Sequence, residues 1–536
     1  MDEIESGDTV PQSQPLQGQV PNSAGGFSFQ VDDMKRLQRF LCLGSEGGTY
    51  YTSEKKLGKE NAESILRLIG NGRGTEVVAQ IVEFSVSGRA AKQDPIIFAL
   101  ALCARATDSD TKTAAYAAVE KVCRIPTHLF SFIAFCEALS IGTGWGRAHR
   151  RAVSKWYNNK TSKSLAMAVT KYQNRGGWSH RDLFRLSHIV PANPGVACVC
   201  KYVMKGLETC KQEYASADLA ETITFLEAVE EAKTGDEATV VQYIRERGLV
   251  REHVPTNYLN SVTVWTALLE NMPMTAMIRN LGKMTSIDLL KPLSSHAATV
   301  SQRLRDETLL RKARVHPFSV LLALKTYENG QGEKGKLKWQ PNQTIVQALD
   351  DAFYMSFKFV QPTGKRFLLA LDVSGSMCAR MMGSPALDCR SASAAMAMVT
   401  ARTEANYHLM GFSHTLVPIP KINAGMNLKD VCSEINKVQM GGTDCALPMI
   451  YAQQKKLQVD VFIVYTDSET WFGKVHPTVA LKEYRSAMGV NAKLIVCGMA
   501  SNGFTIADPE DSGMLDIAGF DSAAPEIIRS FAVGDI

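Results

Sequence analysis

Oxygen-bearing side chains are concentrated where an apolar run ends, in the stretch "FLLALDVSGSM" at residues 367–377. Asp372, Ser374 and Ser376 place three such side chains within five residues, directly after a run that is typical of a buried strand. Polar groups at a buried position need partners, and a hard metal ion is one partner that several oxygens can share.

Two later segments add further oxygens of the same kind. Thr443 lies in "GGTDCA" before a predicted helix, and Asp467 lies in "VYTDSE" at the end of another apolar run. If both segments belong to one parallel sheet, they meet at the carboxyl edge of its strands, where ligands of such sheets bind. An all-oxygen set without soft ligands suits Mg²⁺, with Mn²⁺ as the alternative. The predicted metal ligands are Asp372, Ser374, Ser376, Thr443 and Asp467. In the competing interpretation these hydroxyls only cap turns and helices.

The order of these five residues resembles the metal-ion-dependent adhesion site of the von Willebrand factor A domain. The resemblance covers about residues 361–536. It implies a Rossmann-like, doubly wound domain in which the two serines and the threonine lie nearest to the metal. The aspartates then act directly or through water, and an open position accepts an acidic group. It therefore also implies a protein partner that binds through a carboxylate.

No arrangement of residues predicts catalysis. A phosphatase of the haloacid dehalogenase type needs a second aspartate two residues after its nucleophile, and Ser374 occupies that position. The chain also has no GxSxG elbow. We therefore expect no catalytic residues and no enzymatic activity.

A second candidate site is the basic segment at residues 146–188, which has ten Lys and Arg residues and a single acidic residue, Asp182. Histidines and aromatic residues are interleaved with these cations. Clustered cations attract phosphates, and aromatic rings or guanidinium planes stack on unpaired bases. The predicted RNA contacts are Lys171, Arg175, His180, Arg181 and Arg185, followed by Arg150, Arg151, Lys155 and His188.

The competing interpretation of this segment is a solvated basic face. His188 follows apolar spacing in "LFRLSHIVP", so a buried histidine is an equal alternative there. Trp156 and Phe184 have apolar neighbours at helical spacing and are expected in the core.

Two kinds of elements must position these candidates. Residues 1–26 are rich in Pro, Gln, Gly and Ser and are expected to be irregular. Residues 27–345 contain one short amphipathic helix after another, which favours an α-solenoid of stacked helical pairs. In residues 346–536, predicted strands alternate with helices, which favours a parallel sheet covered on both faces.

The segment "KWYNNKTSKSLAMAVTKYQNRGGWSHRDLFRLSHIVP", together with the C-terminal pattern, resembles the TROVE-domain family of Ro ribonucleoproteins. The resemblance covers nearly the whole chain. It implies HEAT-like repeats closed into a ring that the A-like domain completes. It also implies binding of small noncoding Y RNAs on the outer face. The central hole would take the single-stranded 3′ ends of misfolded noncoding RNAs, such as defective 5S rRNA precursors. The corresponding function is RNA quality control and RNA stability.

Composition limits the remaining classes. The net charge is +5, but residues 361–536 carry 15 Lys and Arg against 17 Asp and Glu, so the basic excess lies in the helical part. The twelve cysteines form no CxxC pair, and we interpret them as reduced thiols of an intracellular protein. No signal pattern or membrane-length apolar run is present, so we expect a protein of the cytoplasm and nucleus. We also expect a monomer. The rival function is a protein-interaction scaffold that binds acidic partners at the metal site.

Overall fold

The computed structural model describes residues 9–44, 52–140, 144–332, 336–357 and 360–536. Its first half is helical and its second half is built on a mixed sheet. The helices of the first half are α1 (Asp33–Leu43), α2 (Glu54–Gly70), α3 (Gly74–Ser87), α4 (Asp94–Ala104), α5 (Ser109–Val122), α6 (Pro126–Ala138), α7 (Arg147–Asn158), α8 (Ser162–Lys171), α9 (His180–Ser187), α10 (Pro194–Lys205), α11 (Leu207–Glu213), α12 (Ala220–Ala232), α13 (Glu237–Arg247), α14 (Val262–Glu270), α15 (Met274–Ser286), α16 (Ser295–Leu304), α17 (Glu307–Lys312), α18 (Pro317–Glu328) and α19 (Gln343–Met355).

Local sequence explains where many of these helices begin. Asp108 and Asp236 each accept a hydrogen bond from a backbone N–H of the first turn, which is the usual role of an N-cap residue. Ser179 does the same at α9, where Asp182 completes a capping box. Helices that are next or next but one in sequence then pack together, as α12 does with α13 and α3 with α5. This arrangement confirms the predicted helical half.

The helical half closes on itself. His316 precedes α18, and its Nε2 donates a hydrogen bond of 3.0 Å to the carbonyl oxygen of Arg89, which lies between α3 and α4. The early and late helices therefore meet, although 227 residues separate the two partners. Contact between the early and late helices is what the predicted ring requires.

The second half contains a six-stranded sheet of order β11-β9-β8-β5-β6-β7, in which β7 is the antiparallel edge strand. Its strands are β5 (Arg366–Asp372), β6 (Asn406–Phe412), β7 (Leu416–Pro418), β8 (Val461–Thr466), β9 (Lys493–Gly498) and β11 (Met514–Ala518). Its helices are α20 (Cys389–Thr403), α21 (Leu428–Ile435), α22 (Leu447–Gln454), α23 (Pro477–Met488) and α24 (Ala524–Val533). The short strands β1 (Gln19–Pro21), β2 (Phe27–Gln30), β3 (Asn174–Arg175), β4 (Trp178–Ser179) and β10 (Phe504–Thr505) lie outside this sheet.

Alternate residues of the central strand β5 enter two different cores. Leu368 packs in a core with residues of α22 and α23, whereas Leu369 joins the core on the opposite face. A strand that is buried on both faces is expected in a doubly wound sheet. The predicted Rossmann-like fold of the C-terminal half is therefore confirmed.

The N-terminal segment differs from the expectation of irregular structure. Residues 9–26 include β1, which pairs with the following strand β2. β2 pairs in turn with β10 of the C-terminal half. The side chain of Gln12 is fully buried there and donates to Asp444 Oδ1 at 2.8 Å. The segment is ordered because it bonds to residues more than 400 positions away in the C-terminal half. Composition does not reveal such distant partners.

The predicted boundary between residues 345 and 346 falls inside α19, which packs against α16 and α18 of the helical half. The helical half therefore continues past that boundary.

Buried ion pairs join the two halves. In α1, Arg39 Nε donates to Asp516 Oδ2 of β11 at 3.1 Å, and both side chains are almost fully buried. Arg89 Nη2 donates to Asp521 Oδ2 at 2.5 Å. The ring and the sheet are thus held together at buried positions, where an unpaired charge would be costly.

No helix within the described residues is long and apolar enough to cross a lipid bilayer.

Candidate functional site

Asp372, Ser374 and Ser376 lie together at the carboxyl end of β5, and all three are buried. Asp372 Oδ1 accepts a hydrogen bond of 2.9 Å from the Ser374 backbone N–H, and Oδ2 accepts one of 2.6 Å from the Thr466 hydroxyl. The Ser374 and Ser376 hydroxyl oxygens are 3.1 Å apart. The alternation of polar residues therefore brings three oxygen side chains to one edge of the sheet.

Thr443 and Asp467 occupy two neighbouring loops at the same edge. The Thr443 carbonyl oxygen accepts hydrogen bonds of 3.1 Å from the backbone N–H groups of Trp471 and Phe472. These bonds tie the Thr443 loop to the loop that follows β8 and carries Asp467. The Thr443 hydroxyl is buried, and it has no hydrogen-bond partner among the described residues. An unpartnered buried hydroxyl is uncommon, and a bound cation would give it a partner.

The electrostatics of this edge favour a bound cation. Burial, and then the charge of Asp467, raise the pKa of Asp372 to about 7. Burial also raises the pKa of Asp467, although the Ser376 hydroxyl bonds to its charged form. Two buried carboxylates repel one another when both are ionised, and a divalent cation between them removes that cost. Within the described residues, no group of three His, Cys, Asp or Glu side chains could hold a metal. A metal at this edge would therefore depend on the hydroxyl oxygens.

The predicted RNA residues occupy α7, α9 and the hairpin between α8 and α9. On α7, Arg150, Arg151 and Lys155 are exposed, whereas Trp156 on the opposite face is buried and donates to the Cys123 carbonyl. Helical periodicity explains this separation of a basic face from an apolar one. None of these three cations has a carboxylate within ion-pair distance in the part of the chain that the structure describes.

The hairpin of β3 and β4 presents Arg175 to solvent. Arg175 pairs across it with Trp178, and Gly176 and Gly177 both have positive φ, as a two-residue hairpin turn requires. The only carboxylate that approaches Arg175 among the described residues is Asp94, at 3.7 Å, and both side chains are about half exposed. Such a surface pair is weak, so the guanidinium remains available to a phosphate.

Lys171 ends α8, and its Nζ lies 5.1 Å from the centroid of the Tyr172 ring. On α9, Arg181 and Arg185 are four residues apart and both are exposed. His188 caps this helix with a left-handed backbone and is also exposed, so the alternative of a buried histidine does not apply to it. Most of the predicted RNA residues are therefore exposed to solvent.

His180 differs from the expectation of RNA contact. The ring is 2% exposed, its Nδ1 accepts from the Tyr157 hydroxyl at 2.8 Å, and its Nε2 donates to the Tyr172 carbonyl at 2.8 Å. Burial lowers the pKa of His180 to about 4, so the ring is neutral at pH 7. His180 instead fixes the hairpin to α7. Trp156 and Phe184 are buried as expected.

Two clefts flank α9 and include cations outside the predicted segment. The larger cleft, of about 540 Å³, is lined by Arg181 and Lys233 and also by Glu208 and Glu230, of which Glu230 pairs with Lys233 at 2.6 Å. The smaller, of about 300 Å³, is lined by Arg185, Lys201 and Lys205 among others. Sequence reasoning did not single out Lys205, because it lies on α10, outside any local run of positive charge.

Comparisons with known proteins identify both halves. The TROVE domain model matches residues 20–326, and the Ro60 vWA domain model matches residues 366–532. The chain is 40% identical to the RNA-binding protein RO60 of Caenorhabditis elegans over 587 residues, covering 97% of this chain and 91% of the relative. It is 39% identical to the RNA-binding protein RO60 of Deinococcus radiodurans over 531 residues, covering 98% of each. The crystal structure of the Deinococcus radiodurans RO (RSR) protein matches with a TM-score of 0.67 and 36% identity, covering 94% of this chain and 100% of that one.

Proposed function

Because the chain belongs to the TROVE-domain family of RO60 RNA-binding proteins, we propose that it is an RNA-binding protein and the core of a ribonucleoprotein. The observation that carries this proposal is the exposed set of cations on α7, α9 and the hairpin, most of which lack a carboxylate partner among the described residues. Desolvated or paired cations would bind phosphate poorly, whereas exposed and unpaired cations release counterions when they bind it.

We propose the RNA targets that the resemblance to the family implies. Small noncoding Y RNAs bind to the outer basic surface, and the single-stranded 3′ ends of misfolded noncoding RNAs, such as defective 5S rRNA precursors, enter the ring. The role is RNA quality control and RNA stability in the cytoplasm and nucleus. Exposed arginines and two adjacent clefts of different size support binding of unpaired nucleotides, because bases need concave surfaces and guanidinium planes.

Binding of one structured RNA with and without a single-stranded 3′ tail tests this proposal. The purified, nuclease-treated protein is titrated with both RNAs at several salt concentrations. Tighter binding of the tailed RNA with a steep salt dependence is the expected result. Equal and weak binding of both RNAs would remove the proposed capture of 3′ ends.

A divalent cation, Mg²⁺ or Mn²⁺, bound at the edge of the sheet is the second part of the proposal. The unpartnered Thr443 hydroxyl, the adjacent serine hydroxyls and two buried carboxylates fit such an ion. Ser374, Ser376 and Thr443 would hold it, and Asp372 and Asp467 would balance its charge. The ion would supply an open position for a carboxylate of a partner protein, and this supports a scaffold role beside RNA binding.

Electron paramagnetic resonance of added Mn²⁺ measures this site directly. We expect one tight site in the wild type and its loss in the double variant Ser374→Ala with Ser376→Ala. The matched control is Ser393→Ala, which removes a buried hydroxyl of α20 that donates to the carbonyl oxygen of Cys389. Equal Mn²⁺ binding by the wild type and the double variant would refute the assignment of the serines.

The protein acts as a monomer and without catalysis in this proposal. Both carboxylate oxygens of Asp372 are held by hydrogen bonds from Thr466 and Ser374, and such a group supports a site better than it attacks a substrate. RNA that stays intact during incubation with the protein and Mg²⁺ is the expected result. Cleavage that disappears in Asp372→Asn would contradict it.

A further inference from the structure

Exposed apolar side chains lie on the loops that carry the proposed metal ligands. Trp471 and Phe472 are 38% and 51% exposed, and they are the two most exposed aromatic rings in the described part of the chain. Met440 is 52% exposed. All three lie within five residues of Thr443 or Asp467 in sequence. We refer to Trp471, Phe472, Met440 and Cys378 as the apolar collar.

Each of the three loops that carry predicted metal ligands contributes to the apolar collar. Cys378 is exposed at the end of the 3₁₀ turn that contains Ser376, and its Sγ lies 3.5 Å from the sulfur of Met440. Met440 precedes the glycine pair before Thr443. Trp471 and Phe472 follow Asp467. The apolar collar therefore has the same three-loop origin as the oxygen cluster.

The aromatic pair is fixed to the metal site by backbone contacts. The N–H groups of both residues donate to the Thr443 carbonyl oxygen at 3.1 Å. A Cβ at Gly442 would lie 3.0 Å from each ring, so the absence of a side chain there lets both rings pack closely beside Thr443. The two rings pack edge to face, with centroids 5.6 Å apart. The rings are therefore preorganised next to a proposed metal ligand while much of their surface stays in water.

Exposed aromatic rings that are already ordered are typical of binding surfaces, because their contact costs little conformational entropy. Charge at the apolar collar favours an acidic occupant. Lys474 follows Phe472 by two residues, is exposed, and has no carboxylate within ion-pair distance among the described residues. The sulfur-containing and aromatic character of this surface contrasts with the cation-rich surface of α7 and α9, which suits RNA.

We propose that the apolar collar selects protein segments in which a bulky apolar side chain lies next to the carboxylate that reaches the metal. The carboxylate supplies the metal contact, and the neighbouring side chain packs on Trp471 and Phe472. This inference rests on the metal site proposed above and adds the residues that determine which acidic partner is accepted.

Capped tripeptides test the selectivity with the full-length, nuclease-treated protein. The probes are Phe-Asp-Phe, Gly-Asp-Gly and Phe-Asn-Phe, titrated by calorimetry in the presence of Mg²⁺. We expect Phe-Asp-Phe to bind about tenfold more tightly than Gly-Asp-Gly, since burying one aromatic side chain outweighs its ordering cost by about that factor. Phe-Asn-Phe lacks the charged oxygen and should bind at least tenfold more weakly than Phe-Asp-Phe.

The double variant Trp471→Ser with Phe472→Ser should bind Phe-Asp-Phe and Gly-Asp-Gly equally while keeping its Mn²⁺ site. The matched control is Leu293→Ser, an exposed apolar residue of the helical half. The single variant Phe472→Ala repeats the test at the more exposed ring, with less risk to folding.

Equal affinity of the wild type for the two acidic peptides, or a preference that survives in the double variant, would overturn the inference. Loss of single-stranded RNA binding in the double variant without any change in peptide preference would assign the surface to RNA and also overturn it. Mn²⁺ binding without peptide selectivity refutes the apolar collar alone. Absence of the Mn²⁺ site in the wild type refutes the metal proposal and the apolar collar together.

Discussion

Removing two cations from the basic surface should change the salt dependence of RNA binding by a calculable amount. Lys171 and Arg175 flank the turn from α8 into the hairpin, and neither is neutralised by a buried partner. The nearest acidic group to Arg175 within the described residues is Asp94, in a half-exposed pair at 3.7 Å. Both side chains are therefore available to phosphates, and the variant Lys171→Ala with Arg175→Ala removes two contacts.

Each phosphate neutralised on a single strand contributes about 0.7 to the slope of log affinity against log salt. Loss of two contacts should therefore lower the slope by about 1.4. Over a fourfold increase in salt, the wild type should lose about sevenfold more affinity than the variant. The affinity of the variant is expected to be lower at every low-salt point, because the same contacts contribute to binding.

Fluorescence polarisation with a labelled single-stranded RNA measures both slopes. The control variant, Lys211→Ala with Arg245→Ala, loses the same charge from exposed residues that pair with Glu227 and Glu270. This control separates local contact from a change in net charge. Identical slopes for the wild type and the Lys171–Arg175 variant would refute the assignment, and an equal reduction in both variants would show a non-specific charge effect.

Three further predictions concern stability and the metal. Asp516→Ala should lower the free energy of unfolding, measured in urea, by about 3–5 kcal/mol, because Arg39 would stay buried without its charge partner. The control Asp33→Ala removes an exposed ion pair with Arg67 and should lower the free energy of unfolding by less than about 1 kcal/mol. Burial lowers the pKa of His149 to about 3 and of His180 to about 4, below the unfolded value of 6.5. The unfolded chain therefore binds more protons than the folded chain below about pH 6.5. As the pH falls from there to the folded pKa, each histidine should lower the free energy of unfolding by about 1 kcal/mol per pH unit. Urea unfolding at several pH values measures this loss. Chelation of divalent metal should leave RNA affinity nearly unchanged in the polarisation assay, and a large loss would show that the two sites are coupled.

The oxygen cluster could be predicted because its signal is local. The polar residues of the Asp372–Ser376 segment come at the end of a buried strand. Ligands bind at the carboxyl ends of parallel strands, and this rule relates the segment to Thr443 and Asp467. The unpartnered Thr443 hydroxyl depends on the positions of all three loops, so no local pattern could identify it.

The two histidines at the ends of α9 show why exposure was harder to predict. His180 and His188 lie in similar polar–apolar contexts, yet one is buried between Tyr157 and Tyr172 and the other is exposed at the helix end. Helical periodicity indicates a face, but the neighbour that covers this face comes from another helix. The expectation of RNA contact was therefore wrong for His180, whose neighbours come from outside its own helix.

The N-terminal segment was missed for the same physical reason. Its composition is typical of irregular chain, and its order comes from contacts with residues more than 400 positions away. Asn22 donates to the Thr470 carbonyl at 2.7 Å, and the Ser23 and Ala24 N–H groups donate to Glu469. A short segment of low hydrophobicity can be ordered when its backbone groups find buried acceptors.

These contacts also bear on how the two proposed sites relate. The N-terminal segment leads directly into α1, whose Arg39 pairs with Asp516 in β11, and its own residues bond to the loop that holds Asp467. The loop that carries Asp467 is thus attached to the first helix of the helical half by a series of buried contacts. Such rigid attachment orients a partner bound at the apolar collar relative to RNA on the ring without requiring any change in shape. A coupling between RNA binding and partner binding would need two alternative arrangements of this connection. The buried Arg39–Asp516 pair opposes a second arrangement, because separating the pair would leave two buried charges unpaired. The expected relation between the sites is therefore simultaneous occupancy at fixed geometry, with independent affinities.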